Sequence, residues 1–539
     1  MFVTLIIVPK NLFRLGASEI SPVTERPNIL FLLSDEHSYR FLSARSGEEG
    51  GEPCHTPTLD GLIRQGVFFR QASCQMPLCT PSRIAMLAGR HSHQAGAWSN
   101  NSVLPPELST FASQLSKAGY STCTVGKMHL GGSRQFAGFQ HRPYGDFGGP
   151  CAHQFDPLSS YEAGKPRPGS DLRSRTVDAG LMQVPESQLQ EAAVTAESVA
   201  WIRNHQQAAP SVPWMLMASF SRPHFPLTAP SRHFDRYWPH GVNEPRIAAG
   251  SGDSADHPMT RGAIAGFRTD EIEREEGMRA RAAYFACVDF LDELLGDFLA
   301  RLERDGALDN TVIVYASDHG EMCGEHGLWW KNTWHESSVR VPLIVSTPEH
   351  RGGDVAAQVV DDPVGLADLF PTFCGLAGAE TPDSLDGLDL SGPCRGDVSS
   401  ALQNRLGVIT EAMTPRWGEG TEFRVLRSRR HKYVAFRDAP DLAFDLEQDP
   451  CEQRNLLAHG EAKDETDALR AHLLEGFDFD NVEQTRLAQT QDLKDRFPLR
   501  AEGSTPNQVL RGDGLLVEAD APLYDADVVS RDIDADFDR

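Results

Sequence analysis

Apolar, β-rich runs recur along the chain between segments that have helical spacing. Their apolar residues stand at consecutive rather than alternate positions, which is typical of strands that are buried on both faces. Such strands occur in a mainly parallel central sheet sandwiched by helices, so the pattern predicts an α/β fold. The five runs are 28–33, 121–125, 214–218, 311–316 and 341–345.

Three of these runs lead directly into polar residues. The polar segments are 34–37, 126–129 and 317–320, and each contains at least one aspartate, lysine or histidine. Because the carboxyl ends of parallel strands meet at one edge of the sheet, where ligands of such folds bind, we expect these side chains to lie together. The sequence therefore predicts one composite site.

Net charge, the length of apolar stretches and the distribution of cysteines exclude several classes of protein. The net charge of -25 is accompanied by no cluster of Lys and Arg, which excludes a nucleic-acid-binding protein. No stretch approaches the ~20 apolar residues of a membrane helix, and the apolar run at the N-terminus has no positive charge before it. We therefore expect a soluble protein, cytoplasmic rather than periplasmic or secreted. The ten cysteines stand singly, so reduced thiols are expected.

The 539 residues suit one large domain and a smaller one. We expect an N-terminal extension over 1–25, a large domain over 26–385 that carries the composite site and an acidic tail over 481–539. Between them, segment 386–480 has short alternating runs followed by a helical pattern, which predicts an α+β subdomain with an antiparallel sheet. Neither composition nor pattern indicates an oligomeric state.

The most specific local signal is the pentapeptide 79–83, Cys-Thr-Pro-Ser-Arg. Pro81 fits the first turn of a helix, so the segment predicts a loop-to-helix junction with Cys79 at its start. Helix amides, the helix dipole and Arg83 together favour a bound anion such as sulfate or phosphate. Taken alone, an ordinary buried thiol explains the pentapeptide equally well.

This pentapeptide and the Leu-Ala-Gly-Arg at 87–90 resemble the signature of the sulfatase family, whose cysteine is oxidised to formylglycine. Further blocks resemble the family in the same order, from about Pro27 to Leu457. The segment 325–331 is similar to the choline-sulfatase and iduronate-sulfatase branches. The resemblance implies an alkaline-phosphatase-like fold and hydrolysis of a sulfate ester to an alcohol and inorganic sulfate. The matching blocks are 28–37, 126–131, 223–226, 317–321, Lys331, 340–343 and 443–450.

The resemblance also implies one divalent cation. Oxygen-rich coordination favours Ca²⁺, with Mg²⁺ or Mn²⁺ possible. Glu36 departs from the Asp or Gln that is frequent at its position, whereas His319 occupies a position that is usually Asn or His. The implied ligands are Asp35, Glu36, Asp318, His319 and the oxygens of the residue made from Cys79.

Six residues are implied as catalytic. Hydrated formylglycine at position 79 attacks sulfur through one hydroxyl, and His129 takes the proton of the other, which releases sulfate. Arg83 and Lys127 hold the hydrate and neutralise developing charge. His224 and Lys331 face the leaving group, and either protonates the alcohol or binds a sulfate oxygen.

The resemblance implies two partners, a small-molecule or saccharide sulfate ester and a formylglycine-generating enzyme. Two alternatives stay open, a phosphonate or phosphate ester hydrolase with the same site and a non-catalytic anion-binding protein with the same fold. Trp329, Trp330 and Trp334 form a cation–π cage, line a sugar site or pack inside, and packing is expected for at least two of them.

Overall fold

The computed structural model describes residues 26–47, 50–100, 102–131, 134–145, 174–397, 402–496, 508–510 and 516–518. The predicted N-terminal extension and most of the predicted acidic tail lie outside these residues. In the described part of the chain, no helix is both long enough and apolar enough to span a bilayer.

Strands make up one large sheet, one four-stranded sheet and three small pairs within the described residues. In chain order they are β1 (Asn28–Asp35), β2 (Val67–Phe69), β3 (Ala72–Ser73), β4 (Ser121–Gly126), β5 (Gly180–Leu181), β6 (Trp214–Pro223), β7 (Thr228–Ala229), β8 (Thr311–Ser317), β9 (Leu343–Ser346), β10 (Gln358–Val360), β11 (Val364–Gly365), β12 (Gly407–Ala412), β13 (Phe423–Ser428), β14 (His431–Phe436), β15 (Leu442–Asp445), β16 (Gln508–Leu510) and β17 (Leu516–Glu518).

The α-helices pack mainly on the two faces of the large sheet. They are α1 (Pro57–Arg64), α2 (Cys79–Ala88), α3 (Phe111–Lys117), α4 (Ser174–Val177), α5 (Gln190–Ala208), α6 (Ser231–Tyr237), α7 (Pro258–Phe267), α8 (Arg274–Arg304), α9 (Glu336–Val339), α10 (Pro348–Gly352), α11 (Leu369–Ala377), α12 (Ser391–Cys394), α13 (Leu456–His459), α14 (Lys463–Leu473) and α15 (Phe479–Arg496).

The large sheet has the strand order β10-β2-β9-β8-β1-β6-β4. Four of its strand pairs are parallel, and only β9 runs antiparallel to its two neighbours, β8 and β2. All five runs predicted as strands lie in this sheet. The predicted mainly parallel α/β fold is therefore confirmed.

Strand β1 shows why its sequence is apolar at consecutive positions. Ile29 and Phe31 pack into the core on one face of the sheet, whereas Leu30 and Leu32 pack into the core on the other, and all four are fully buried. Each such side chain contributes about 1.5–3 kcal/mol by leaving water. Burial on both faces thus fixes β1 at the centre of the molecule.

Helix α3 begins later than its sequence pattern suggests. The pattern predicts a helix from Pro106 to Ala118, but the structure starts it at Phe111. Thr110 caps it, because the Thr110 side chain accepts from the Ser113 backbone amide at 3.1 Å while the Ser113 hydroxyl accepts from the Thr110 amide at 3.0 Å. This capping box ends the loop and sets the first helical residue.

The smaller sheet, β12 to β15, is antiparallel throughout, and α14 packs on it. This is the predicted antiparallel α+β part, while the boundaries drawn at 385 and 480 stay a prediction. Helix α15 occupies the first residues of the segment predicted as acidic tail. It contacts the main core, since Trp98 donates its indole hydrogen to Gln489 Oε1 at 2.6 Å.

Candidate active site

Two neighbouring strands place two aspartates side by side. Asp35 is the last residue of β1, and Asp318 directly follows β8. The two strands are parallel and in register, with Ser34 opposite Ser317. Both carboxylates therefore meet at the carboxyl edge of the sheet, where the sequence places the composite site.

Cys79 is the first residue of α2, with Pro81 in the first turn, as its sequence predicts. The thiol is fully buried. Its Sγ lies 3.2 Å from His319 Nε2, 3.4 Å from Lys331 Nζ and 3.8 Å from Asp35 Oδ1. The start of this helix therefore projects into the carboxylate pair.

Arg83, one turn further along α2, ties the two aspartates together. Its Nε donates to Asp318 Oδ2 at 2.8 Å, and its Nη2 donates to Asp35 Oδ2 at 3.0 Å. Lys127, after β4, places its Nζ 2.8 Å from the same Asp35 oxygen. Both cations contact the carboxylates directly, so they orient the acidic pair as well as supplying positive charge beside Cys79.

Glu36 stands in a strained backbone conformation, with φ at 69°. Its amide donates to Asp318 Oδ1 at 3.1 Å, and its carbonyl accepts from the Tyr284 hydroxyl at 2.6 Å. Its Oε2 lies 3.0 Å from Lys331 Nζ and 3.4 Å from His224 Nε2. Non-glycine residues held at positive φ concentrate at functional sites, because the surrounding contacts must offset the strain.

The donor atoms present fit a hard divalent cation. Asp35, Cys79, Asp318 and His319 each offer a ligand atom, and these atoms all lie within 4.8 Å of one another. Glu36 adds an oxygen, Oε1, that is buried without a hydrogen-bond donor among the described residues. A buried carboxylate oxygen needs a donor or a cation, and carboxylates with one imidazole suit Ca²⁺, Mg²⁺ or Mn²⁺.

The field of the site favours negative charge at position 79. Burial by itself raises the pKa of the Cys79 thiol, but Lys331, Lys127 and His319 together hold that pKa well below its ordinary value. Hydrogen bonding to His129 acts in the same direction. The pKa of Asp318, in contrast, is raised to about 6 by burial and by the neighbouring Asp35 charge.

All the predicted catalytic and metal-binding residues thus converge around Cys79. A family model described as Sulfatase matches residues 27–379, and a model described as N-sulphoglucosamine sulphohydrolase, C-terminal, matches residues 324–477. The chain belongs to the sulfatase family. Its enzyme class is accordingly that of the sulfuric ester hydrolases.

Curated relatives and a solved structure agree with this membership. The chain is 29% identical to an arylsulfatase of Clostridium perfringens, over 83% of this chain and 94% of that protein. It is 29% identical to a choline-sulfatase of Rhizobium meliloti, over 80% and 83% of the two chains. A phosphonate monoester hydrolase of Agrobacterium radiobacter has the same fold, with a TM-score of 0.66, 22% identity and coverage of 92% and 100%.

This sulfatase opens to solvent on one side of its site. The side chains of Asp35, Asp318 and His319 are fully buried, whereas those of His224 and Lys331 are 13% and 9% exposed. Lys127 is exposed to a similar extent, at 8%, so solvent reaches the site beside these three side chains.

Sequence reasoning assigned no role to Glu321, which is buried beside Glu36. Its Oε1 accepts from the backbone amides of Trp330 at 2.6 Å and Cys323 at 2.7 Å, which fixes the loop that carries Lys331. Burial and the Glu36 charge raise the pKa of Glu321 well above its ordinary value. Glu321 directly follows the polar segment 317–320, but a single glutamate carries no sequence signal for its spatial neighbour.

The structure also buries Trp329, Trp330 and Trp334, each at 5% exposure or less. Trp334 stacks on Phe444 of the smaller sheet, with ring centroids 5.1 Å apart. The three indoles therefore pack inside this sulfatase rather than forming an open cage.

Proposed function

We propose that this sulfatase hydrolyses its sulfate ester at residue 79, after a formylglycine-generating enzyme has oxidised Cys79 to formylglycine. The observation that carries the proposal is the place of Cys79, buried at the start of α2 within 3.8 Å of Asp35, His319 and Lys331. Cations lower the pKa of its thiol despite burial, so the same position suits an oxyanion.

One divalent cation belongs to the proposal. Asp35, Glu36, Asp318, His319 and the converted residue 79 would hold it, with Ca²⁺ favoured over Mg²⁺ and Mn²⁺. When bound, such a cation neutralises sulfate charge and acidifies a hydroxyl. The orphaned Glu36 Oε1 supports including Glu36 among the ligands.

The hydrate of the aldehyde would supply two hydroxyls, one to attack sulfur and one whose deprotonation expels sulfate. His129 is the base for the second hydroxyl, since it already hydrogen bonds to residue 79. Arg83 and Lys127 keep Asp35 ionised and in place, because both contact its Oδ2. The net reaction consumes one water and yields the alcohol and hydrogen sulfate.

His224 and Lys331 serve the leaving group. Both contact Glu36 Oε2, and His224 is the most exposed of the site residues. One protonates the alcohol oxygen while the other binds a sulfate oxygen. The substrate is a small-molecule or saccharide sulfate ester, and the N-sulphoglucosamine sulphohydrolase match at 324–477 supports a sulfated saccharide.

A second candidate function is phosphonate or phosphate ester hydrolysis. It is favoured by the structural likeness to a phosphonate monoester hydrolase, which covers 92% of this chain. Rates on matched 4-nitrophenyl sulfate, phosphate and phenylphosphonate esters separate the two functions. We expect the sulfate ester to have the highest kcat/KM, and faster turnover of either phosphorus ester would make it the primary activity instead.

The direct test is mass spectrometry of the peptide that contains Cys79, from protein co-expressed with a formylglycine-generating enzyme. We expect an aldehyde at residue 79 and sulfate release that scales with the converted fraction. Unmodified cysteine, in cells where a control substrate of the enzyme is converted, would contradict the proposed nucleophile.

A further inference from the structure

A cation lies at the open side of the site and has no role in the mechanism above. Arg175, on the short helix α4, is half-buried. Its guanidinium carbon lies 3.5 Å from the ring centroid of Phe225 and 5.4 Å from that of Trp330. The guanidinium therefore rests on an aromatic platform beside His224, the residue that precedes Phe225.

Helix α4 is fixed rather than loosely placed. The Thr176 hydroxyl donates to Glu276 Oε1 at 2.5 Å, and Arg279 Nη2 donates to the Val177 carbonyl at 2.8 Å. Both partners belong to the long helix α8. The two residues that follow Arg175 are thus anchored to α8, which fixes the backbone from which the Arg175 side chain extends over Phe225.

Phe225 connects Arg175 to the leaving-group side. Lys331 Nζ, which contacts Cys79 and Glu36, lies 5.6 Å from the same ring centroid. The Phe225 ring is therefore bordered by two cations, Lys331 and Arg175. An alcohol that leaves past Lys331 passes this ring.

Arg175 has no ion-pair partner in the described part of the chain. Most buried guanidinium groups of this protein pair with carboxylates, as Arg83 does with Asp35 and Asp318. The half-buried Arg175 instead stacks on Phe225 and Trp330. Burial lowers the pKa of Arg175 to about 10, so the side chain remains charged at neutral pH. The charges of Glu36 and Glu321 act on Arg175 from beyond ion-pair distance, so its desolvation is only partly offset and an anionic ligand in direct contact would offset the rest.

A second arginine, Arg416, lies at the other end of the same row of aromatic rings. Arg416 is exposed, its guanidinium carbon lies 5.0 Å from the Trp417 ring centroid, and its charge acts on Arg175. Phe267 joins the two platforms, with its ring 4.5 Å from Trp417 and 5.0 Å from Trp330. The row of aromatic rings thus carries a guanidinium at each end.

We propose that Arg175, assisted by Arg416, binds a second anionic oxygen group on the alcohol portion of the substrate, either a carboxylate or a further sulfate. The inference rests on the proposed sulfate ester hydrolysis and names its substrate class. A cationic alcohol such as choline is disfavoured, since its ammonium would lie near Arg175 and Lys331. The chain thereby differs in specificity from the choline-sulfatase to which it is 29% identical.

The activity test uses four 4-nitrophenyl sulfates that are unsubstituted or carry a ring carboxylate, sulfonate or trimethylammonium group. For the converted wild-type protein we expect kcat/KM to be at least about tenfold higher for the better anionic ester than for the cationic ester. The sulfonate and carboxylate arms show which anion is preferred. Equal rates for anionic and cationic esters would overturn the proposal.

Substitution of Arg175 then tests whether this residue causes the preference for anionic esters. In Arg175→Gln, the loss of kcat/KM on the preferred anionic ester should exceed the loss on the unsubstituted ester by about tenfold, and Arg175→Lys should be intermediate because it keeps charge without the planar fork. Arg203→Gln removes an exposed arginine paired with Asp305 and is the matched control, which should retain the wild-type preference. A preference that survives in Arg175→Gln would exclude this residue as its source.

A binding measurement separates this proposal from the proposed reaction. Calorimetry with the carboxylated and sulfonated nitrophenols, the alcohol products, needs no turnover. We expect Arg175→Gln to weaken binding of the preferred nitrophenol at least about tenfold relative to wild type and Arg203→Gln. Unchanged binding refutes the anion site even if sulfate esters are hydrolysed. Weakened binding supports it even if the proposed sulfate chemistry fails.

Discussion

Two buried clusters of charge in this protein use the same residue types in opposite ways. The interface cluster joins the main sheet domain to the smaller sheet and consists of Glu336, Arg340, Arg427, Lys432 and Glu452. Every carboxylate oxygen in it has a donor. Glu336 Oε1 lies 3.0 Å from Lys432, and Glu336 Oε2 lies 3.2 and 3.3 Å from Arg340 and Arg427. Glu452 pairs with Lys432 at 2.6 Å and with the Glu336 amide at 2.8 Å.

The catalytic cluster around Cys79 differs from the interface cluster in the contacts of its carboxylate oxygens. Asp35, Asp318 and His319 crowd their ligand atoms within 4.8 Å of Cys79 Sγ and of one another, and Glu36 Oε1 has no donor among the described residues. In the catalytic cluster the carboxylates and the Cys79 thiol lie close enough to share a cation, whereas the interface cluster satisfies its carboxylates with arginine and lysine. The difference teaches that a buried oxygen without a donor, where it lies beside a cluster of ligand atoms, marks a cation site better than buried charge alone.

The largest expected effect is on the chemistry of the catalytic cluster. Cys79→Ala should lower kcat/KM on an aryl sulfate by at least about 10³-fold, because it removes the nucleophile. The melting temperature should stay close to that of the wild type, since alanine suits the start of α2. Cys451→Ala, a half-buried cysteine outside the site, is the control with normal activity. Full activity in Cys79→Ala would end the proposed mechanism.

Next is the cost of breaking the interface cluster. Lys432→Met leaves the buried Glu336 and Glu452 without their shared cation, so urea unfolding should show a loss of about 3–5 kcal/mol. Lys463→Met removes an exposed pair with Asp467 and should cost under about 0.5 kcal/mol. If the two lysine variants were equally stable, the interface cluster would not have the structural role assigned to it.

A smaller effect concerns ligand binding at the catalytic cluster. Ca²⁺ at about 100 times its dissociation constant should stabilise the protein by about 2.7 kcal/mol, measured as a rise in melting temperature after dialysis against chelator. Asp318→Asn should abolish most of this rise. Asp361→Asn, which only breaks a surface pair with Arg70, should retain it. The same rise in all three proteins would place the cation elsewhere.

The smallest effect is a pH dependence from the interface cluster. Burial, opposed by Lys432, leaves the pKa of Glu452 raised from 4.5 to about 7. Between these values the folded protein holds a proton that the unfolded chain releases, so stability falls as pH rises from about 4.5 to 7.

This contribution can be isolated by substitution. Glu452→Gln should flatten the fall in unfolding free energy across that window, whereas Glu447→Gln, at an exposed residue, should not. The Glu336 pKa shifts the opposite way, because its three cations outweigh burial, so its stabilisation persists above about pH 4.5 and is lost only below. A wild-type slope in Glu452→Gln would assign the pH dependence to other groups.

Much of the fold was predictable because strands that are buried on both faces have apolar residues at consecutive positions. Five runs of consecutive apolar residues all became strands of the central sheet. The direction of β9 was not predictable, since a strand buried on both faces looks the same in either orientation. The start of α3 was missed by several residues because the capping box of Thr110 and Ser113 outweighs helical spacing before it.

Some residues of the candidate site were likewise predictable from the sequence, and others were not. Ordered motifs were enough to name Cys79, Arg83 and the residues at the strand ends, because the chemistry requires those types at those places. Sequence assigned no role to Glu321, although this residue ends the matching block 317–321, and Arg175 lies in no such block. Their importance comes from what they lie beside, Glu36 in one case and Phe225 in the other.

The sequence by itself determined the α/β class, the helix that begins at Cys79 and the set of side chains able to bind a cation and an anion. Each of these depends on local pattern and residue chemistry. Only the tertiary structure decided that, among the described residues, Glu36 Oε1 lacks a donor, His224 is the most exposed residue of the site and Arg175 has no ion-pair partner. Such properties depend on distances between residues far apart in the chain, and those distances exist only once the sheet and its helices are packed.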